Sequence, residues 1–258
     1  MFRFFRKSVD INTTEVVDKI ENAVYLHIKS YGFKKYGRTL HRFVSGDISQ
    51  VIHFQSGMPI HGMKGLLCIN LGVRIPECDE MSFRPMLENK KYYHEYNCTI
   101  RSRLGTVSGK NETWYDLSKN TEKIIKCIIA EIDEYVLPAY EVLNSREAIL
   151  AHRRDYPLLD NLCSSDILVL HESMMYGYMG DFEKAKELFE IYYESAVAEY
   201  NDMMVNGHKQ YLKKGERVVY MNQDITADRD GYVTLYGASH SHIDYLDELA
   251  IKLGLRKR

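Results

Sequence analysis

"GLLCINLGVRI" (residues 65–75) decides the fold class. Leu67, Ile69, Leu71, Val73 and Ile75 fall on one side of an extended chain, and Cys68, Asn70, Gly72 and Arg74 fall on the other. Successive side chains of a strand point to opposite faces. This stretch is therefore a strand with one uniformly aliphatic face, and the sheet around it needs an apolar layer on that side. Pro76 ends the run, since it has no N–H to give to a ladder.

Upstream, "RTLHRFV" (38–44), a Ser45-Gly46-Asp47 turn and "ISQVIHFQ" (48–55) form a hairpin signal. In its second arm Ile48, Gln50, Ile52 and Phe54 share one face, and Ser49, Val51, His53 and Gln55 share the other. Downstream, "CTIRSRLG" (98–105) is a fourth strand with Thr99, Arg101 and Arg103 on one face. Residues 77–96 are an irregular or partly helical insertion containing "YYHEY".

Helices flank these strands. Over 12–31, Val16, Val17, Ile20, Val24 and Ile28 recur at helical spacing, Asn12 with Glu15 makes a capping-box-like start, and Gly32 stands where the helix should stop. "YGFKKYGRTLHRF" (31–43) places cations around two glycines, but it is the joint between this helix and the hairpin. Its lysines sit near the helix carboxyl end, where positive charge is favoured. A second helix, about 118–137, is capped by Ser118 or Asn120 and buries Ile124, Ile125, Ile128, Ile132 and Val136. Helix, four strands, helix is the order of an α+β domain: a two-layer antiparallel four-stranded sheet flanked by helices, over residues 1–150.

Residues 151–258 are a mainly helical C-terminal extension. It comprises a helical hairpin joined at Gly180-Asp181, a β-hairpin within "RVVYMNQDITADRDGYVTLYG" (217–237) with Asp230-Gly231 near its turn, and a last helix. That helix, 242–253, is opened by Ser241 with Asp244 and closed by Gly254. "GDFEKAKELFE" (180–190) is like half of a tetratricopeptide repeat, but a single copy has nothing to stack on.

Of the 258 residues, 34 are basic and 36 acidic, for a net charge of −2. Duplex nucleic-acid binders carry a basic excess because they neutralise phosphates, so no nucleic-acid partner is expected. The five cysteines are scattered and never spaced C-x-x-C, which points to reduced thiols in a cytoplasmic protein. "MFRFFRKSVD" is too broken by Arg3 and Arg6 for a signal peptide, and no run approaches the roughly 20 apolar residues of a membrane helix. No membrane association is expected.

"GFKKYGRTLHRF", "CINLGVRIPE", "TIRSRLG" and "WYDL" stand in this order. Together, over residues 12–150, they resemble a bacterial domain-of-unknown-function family. The resemblance implies a small α+β domain and no established reaction.

Arg42, Arg74, Arg101 and Arg103 are the most informative site candidates. Alternation aims Arg74, Arg101 and Arg103 away from the aliphatic face, while the phase of Arg42 is open. Such a surface suits bidentate recognition of carboxylate or phosphate, and equally a solvated face with cross-strand charge pairs. Trp114 fits core or hinge packing.

Other motifs fail on inspection. "GMPIHGMKG" (57–65) has Met63 where a phosphate loop needs Lys. "SHSH" (239–242) lacks a further metal ligand, and "DITADRDG" puts Gly237 where a calcium loop needs Glu. No catalytic constellation stands out, so no metal or cofactor is expected. The leading expectation is a binding protein that recognises a protein partner through the arginine-bearing sheet face, with some of the twenty tyrosines as anchors. The alternative is an enzyme acting on a phosphorylated or carboxylated small molecule, with the arginines as clamps and His53 or His41 as acid–base.

Overall fold

A computed structural model describes residues 12–58, 61–82, 91–110, 114–159 and 165–256. The opening "MFRFFRKSVD", part of the 77–96 insertion and Cys163 lie outside the described residues. The chain forms two compact units, Met1–Ser164 and Ser165–Arg258, so the division falls later than the boundary at 150 read from the sequence.

In the first unit α1 (Thr13–Ile28) starts where the Asn12 side chain accepts the Glu15 N–H at 3.4 Å. It buries Val17, Ile20, Val24 and Ile28. A single 3-10 turn follows, and Gly32 at φ 87° reverses the chain into β1 (Lys34–Tyr36). The 31–43 stretch is thus a joint, with Lys35 paired to Glu21 at 2.8 Å. β2 (Thr39–Val44), β3 (Ile48–Ser56), β4 (Leu66–Arg74) and β5 (Ile100–Arg103) are the four expected strands.

All pairings are antiparallel, in the order β1-β2-β3-β4-β5. The free edge of β4 is shared: Asn70–Val73 pair with β5, and Leu66–Cys68 pair with β6 (Trp114–Asp116). The sheet therefore has six strands rather than four. β1 and β6 are three residues each, too short for alternation to show in a sequence.

The register sets the two faces. Leu40, Ile52, Leu71 and Ser102 form one cross-strand row, and Arg42, Gln50, Val73 and Ile100 the next. This is the helix-side face. α2 (Leu104–Val107) is one short turn after β5. α3 (Thr121–Glu131) is capped by Asn120, which accepts from the Lys123 N–H at 3.0 Å. A π turn at Ile132–Val136 leads into α4 (Leu137–Val142), so the helix expected to stop at 137 runs further. α5 (Arg146–His152) closes this part, with Arg146 clamped between Asp47 and Glu77.

Tyr140 of α4, fully buried, ties the helix layer to the middle of the sheet. Its hydroxyl accepts the Gly72 N–H at 3.0 Å and lies 2.8 Å and 3.1 Å from the Val51 and Gly72 carbonyls. Gln50 donates to the carbonyls of Tyr140 and Leu143 at 2.6 and 3.0 Å.

In the second unit α6 (Ser165–Tyr178) and α7 (Phe182–Val205) form the expected helical hairpin. Gly180 at φ 88° turns the chain, and Asp181 caps α7 by accepting the Lys184 N–H at 3.1 Å. The tail differs from expectation. β8 (Arg217–Tyr220) and β9 (Gln223–Thr226) pair around a turn at Met221, where φ is 50°. They are nested inside the pairing of β7 (His208–Leu212) with β10 (Gly231–Leu235), so Gly231 begins a strand rather than making a turn. α8 (Ser241–Lys252) is preceded by His240, whose Nδ1 meets Asp244 at 2.8 Å; Ser241 is its first residue and not its cap. Among the described residues no helix is long and apolar enough to cross a membrane.

Tyr140→Phe removes the buried hydroxyl's contacts to the backbone of Gly72 and Val51 and should lower stability by about 1–3 kcal/mol in urea unfolding.

Candidate functional site

The second face of the sheet carries its polar chemistry. The register aligns Thr39, His53, Asn70 and Arg103 in one cross-strand row, and His41, Val51, Gly72 and Arg101 in the next. Phe43, Ser49 and Arg74 make a third row, and Gln55, Cys68 and Trp114 a fourth. Arg74, Arg101 and Arg103 thus share a face. Arg42 does not, because it pairs with Gln50 and points to the helix side.

This face is not the open platform the sequence suggests. Residues 91–98, a strap formed by the end of the insertion and the approach to β5, lie across it. Tyr92 stacks on Tyr36 at 4.8 Å between ring centroids, and His94 meets His53 edge-to-face at 5.5 Å. Tyr93 packs against His41 and Phe43, with the Arg74 guanidinium 3.8 Å above its ring. Gly72 makes this approach possible: a Cβ there would stand 2.5 Å from Cys98 Sγ and 2.6 Å from Cys98 Cβ. Within the strap the Asn97 side chain accepts the His94 N–H at 3.3 Å, and Asn97 N–H donates to the His94 carbonyl at 3.0 Å. His94 and Glu95 are fixed by that turn.

The arginines differ in their surroundings. Arg42, buried, donates to Gln50 at 2.7 Å, to the Tyr31 carbonyl at 2.7 Å and to Glu141 at 2.8 Å, and its guanidinium covers Phe33. Arg74, also buried, donates from Nε to Asp79 at 2.9 Å. Both hold the fold together. Arg103 is half-buried, with its guanidinium 5.7 Å from the Trp114 ring. Arg101 is half-buried, and its Nε is enclosed with no hydrogen-bond partner.

His53, His94 and Glu95 form the tightest cluster of potential ligands: one donor atom from each lies within 4.8 Å of the others. Glu95 Oε2 is buried without a hydrogen-bond partner. The Thr39 hydroxyl lies 2.9 Å from His53 Nδ1 and 3.4 Å from His94 Nδ1. Burial pushes the His53 pKa down, partly opposed by the charge of Glu95. His41 is a poorer acid–base candidate. It is 2% exposed among aromatic rings, its Nε2 has no partner, and burial, with the nearby Arg74 charge, lowers its pKa to about 4. Burial likewise pushes the Cys68 thiol up to about 11.

His94 and Glu95 are functional candidates that alternation could not find, since they lie in an irregular segment. The sequence signal was "YYHEY", whose aromatic rings hold the strap on the sheet. The "SHSH" histidines do not converge: His240 engages Asp244, while His242 Nε2 lies 3.2 Å from the Tyr192 hydroxyl.

Residues 24–141 match the family model described as "Domain of unknown function (DUF4304)". All four motifs noted in the sequence, together with the strap, lie inside the matched span. No curated protein and no solved structure matches the chain.

Two outcomes test this geometry. Gly72→Ala must push the strap off the sheet or strain it, and should destabilise the protein by about 1–3 kcal/mol in urea melts. His41 gives a pH signature. Its folded pKa of about 4 lies below the ordinary 6.5, so between those values the unfolded chain binds a proton that the folded one refuses. Stability from this group is full above pH 6.5 and lost as pH falls towards 4, by up to about 3 kcal/mol. His41→Phe should show a flatter loss of stability over that window when melts are compared pH by pH.

Proposed function

We propose that the strapped face of the sheet binds an anionic small molecule, phosphorylated or carboxylated, with Arg101 and Arg103 as its cationic contacts. The observation that carries this reading is Arg101, which is half-buried with its Nε enclosed and unpartnered. Burying an unsatisfied charged donor costs folding free energy, and a guanidinium fork regains it when a planar anion docks bidentately. Arg42 and Arg74 are satisfied by protein groups, so the leading contact is Arg101, with Arg103 next to it on the same face of β5. His53 lies in the same cross-strand row as Arg103, with Asn70 between, and is the acid–base candidate of this reading. Turnover of the bound molecule is compatible with that placement.

A second reading, recognition of an acidic protein surface, draws on the exposed rings of Phe43 and Tyr96 at the same face. Partner side chains would present the same carboxylates to the same arginines, with these rings as anchors. A cytoplasmic, bacterial setting belongs to either reading. The free thiols Cys68, Cys98 and Cys127 and the motif resemblance support it.

Calorimetric titration and thermal shift with phosphate monoesters, di- and tricarboxylates and their neutral analogues test the proposal. An anionic ligand at a hundred times its Kd should add about 2.7 kcal/mol of stability, and its neutral analogue none. Arg101→Gln should abolish the effect while leaving the unliganded melting temperature within a few degrees or raising it. Absence of any anion response, or a response that survives Arg101→Gln, would overturn the small-molecule reading. Co-purification of an acidic protein that Arg101→Gln releases would establish the second reading in its place.

A further inference from the structure

We infer that His53, His94 and Glu95 form a binding site for a first-row divalent transition-metal ion such as Zn2+. The three groups come from separate parts of the chain. His53 stands on β3 in the middle of the sheet, whereas His94 and Glu95 are consecutive on the strap that aromatic stacking holds over it. Their donor atoms lie within 4.8 Å of one another. Ligands sharing one zinc ion at about 2.0–2.2 Å stand roughly 3.4 Å apart, so small side-chain rotations suffice to close the set.

The second observation is independent of that spacing. Glu95 Oε2 is buried with no hydrogen-bond partner. A carboxylate oxygen enclosed in this way is a cost that a coordinated cation removes. Two imidazoles and one carboxylate suit borderline divalent ions of the zinc, cobalt and iron class; magnesium and calcium prefer all-oxygen sets. The Thr39 hydroxyl at 2.9 Å from His53 Nδ1 is a neighbour able to orient that ring. Three protein ligands leave coordination positions for water or for an anionic oxygen. The site shares the strapped face with the anion-binding proposal but uses neither of its arginines, so metal binding and anion binding can each fail without the other.

Untagged protein stripped with EDTA and then titrated with Zn2+ and Co2+ tests the inference. The expected result is one ion per chain, visible Co2+ d–d bands, a raised melting temperature, and no comparable response to Mg2+. His94→Ala and Glu95→Gln should each weaken binding by about 100-fold or more. The metal-free Glu95→Gln protein should melt no lower than the parent, because the enclosed Glu95 oxygen has no hydrogen-bond partner to lose. Should His94→Ala fail to fold, Glu95→Gln and Glu95→Ala carry the test. The His240→Ala/His242→Ala double variant should bind the metal unchanged. Lack of stoichiometric binding, binding that survives substitution of Glu95, or binding lost in the His240/His242 variant would overturn the inference.

Discussion

A missing side chain at residue 72 organises the first unit. Gly72 lies in strand β4, and both layers reach the sheet backbone there. From the helix side the Tyr140 hydroxyl takes its N–H at 3.0 Å. From the other side Cys98 occupies the space a Cβ would need. A larger residue there would force the strap outward, and the strap is what brings His94 and Glu95 to His53. The polar chemistry of the face therefore depends on a packing constraint rather than on any attraction among the polar groups.

The charged groups sort by how completely they are satisfied. Arg42, Arg74 and Arg146 are buried and paired, and breaking such a pair leaves a stranded charge, so their role is architectural. Glu131 belongs with them. Burial acts to raise its pKa, yet hydrogen bonds from Cys127, Lys110, Tyr115 and Ser108 bring it below the usual range. Arg101 and Glu95 are different: each has a buried polar atom with no partner in the protein. Two such atoms of opposite sign on one face fit a surface completed by ligands.

Much of the fold was legible in the sequence because its signals are local. Alternation in β3 and β4, the Asn12 and Asn120 caps and the glycine stops at Gly32 and Gly180 each act within a few residues. What could not be read depends on distant parts of the chain. β1 and β6 exist because β2 and β4 offer edges, not because three residues prefer a strand. The phase of Arg42 was hidden because Thr39–Arg42 are buried on both faces of β2, so hydrophobicity does not alternate there. The polar residues of β3, β4 and β5 suggested an open face because nothing local reveals that 91–98 folds back over them. His53 could be named from its strand, but His94 and Glu95 gain meaning only once the strap is in place.

The central claim is that the strap rests on the polar face in solution and holds the histidine pair together. Proton NMR tests it directly through nuclear Overhauser contacts between the His53 and His94 rings and between the Gly72 α-protons and the Cys98 β-protons. The account predicts both sets, with the strap amides protected from exchange. Absence of both contacts, with strap amides exchanging as freely as an open loop, would contradict it.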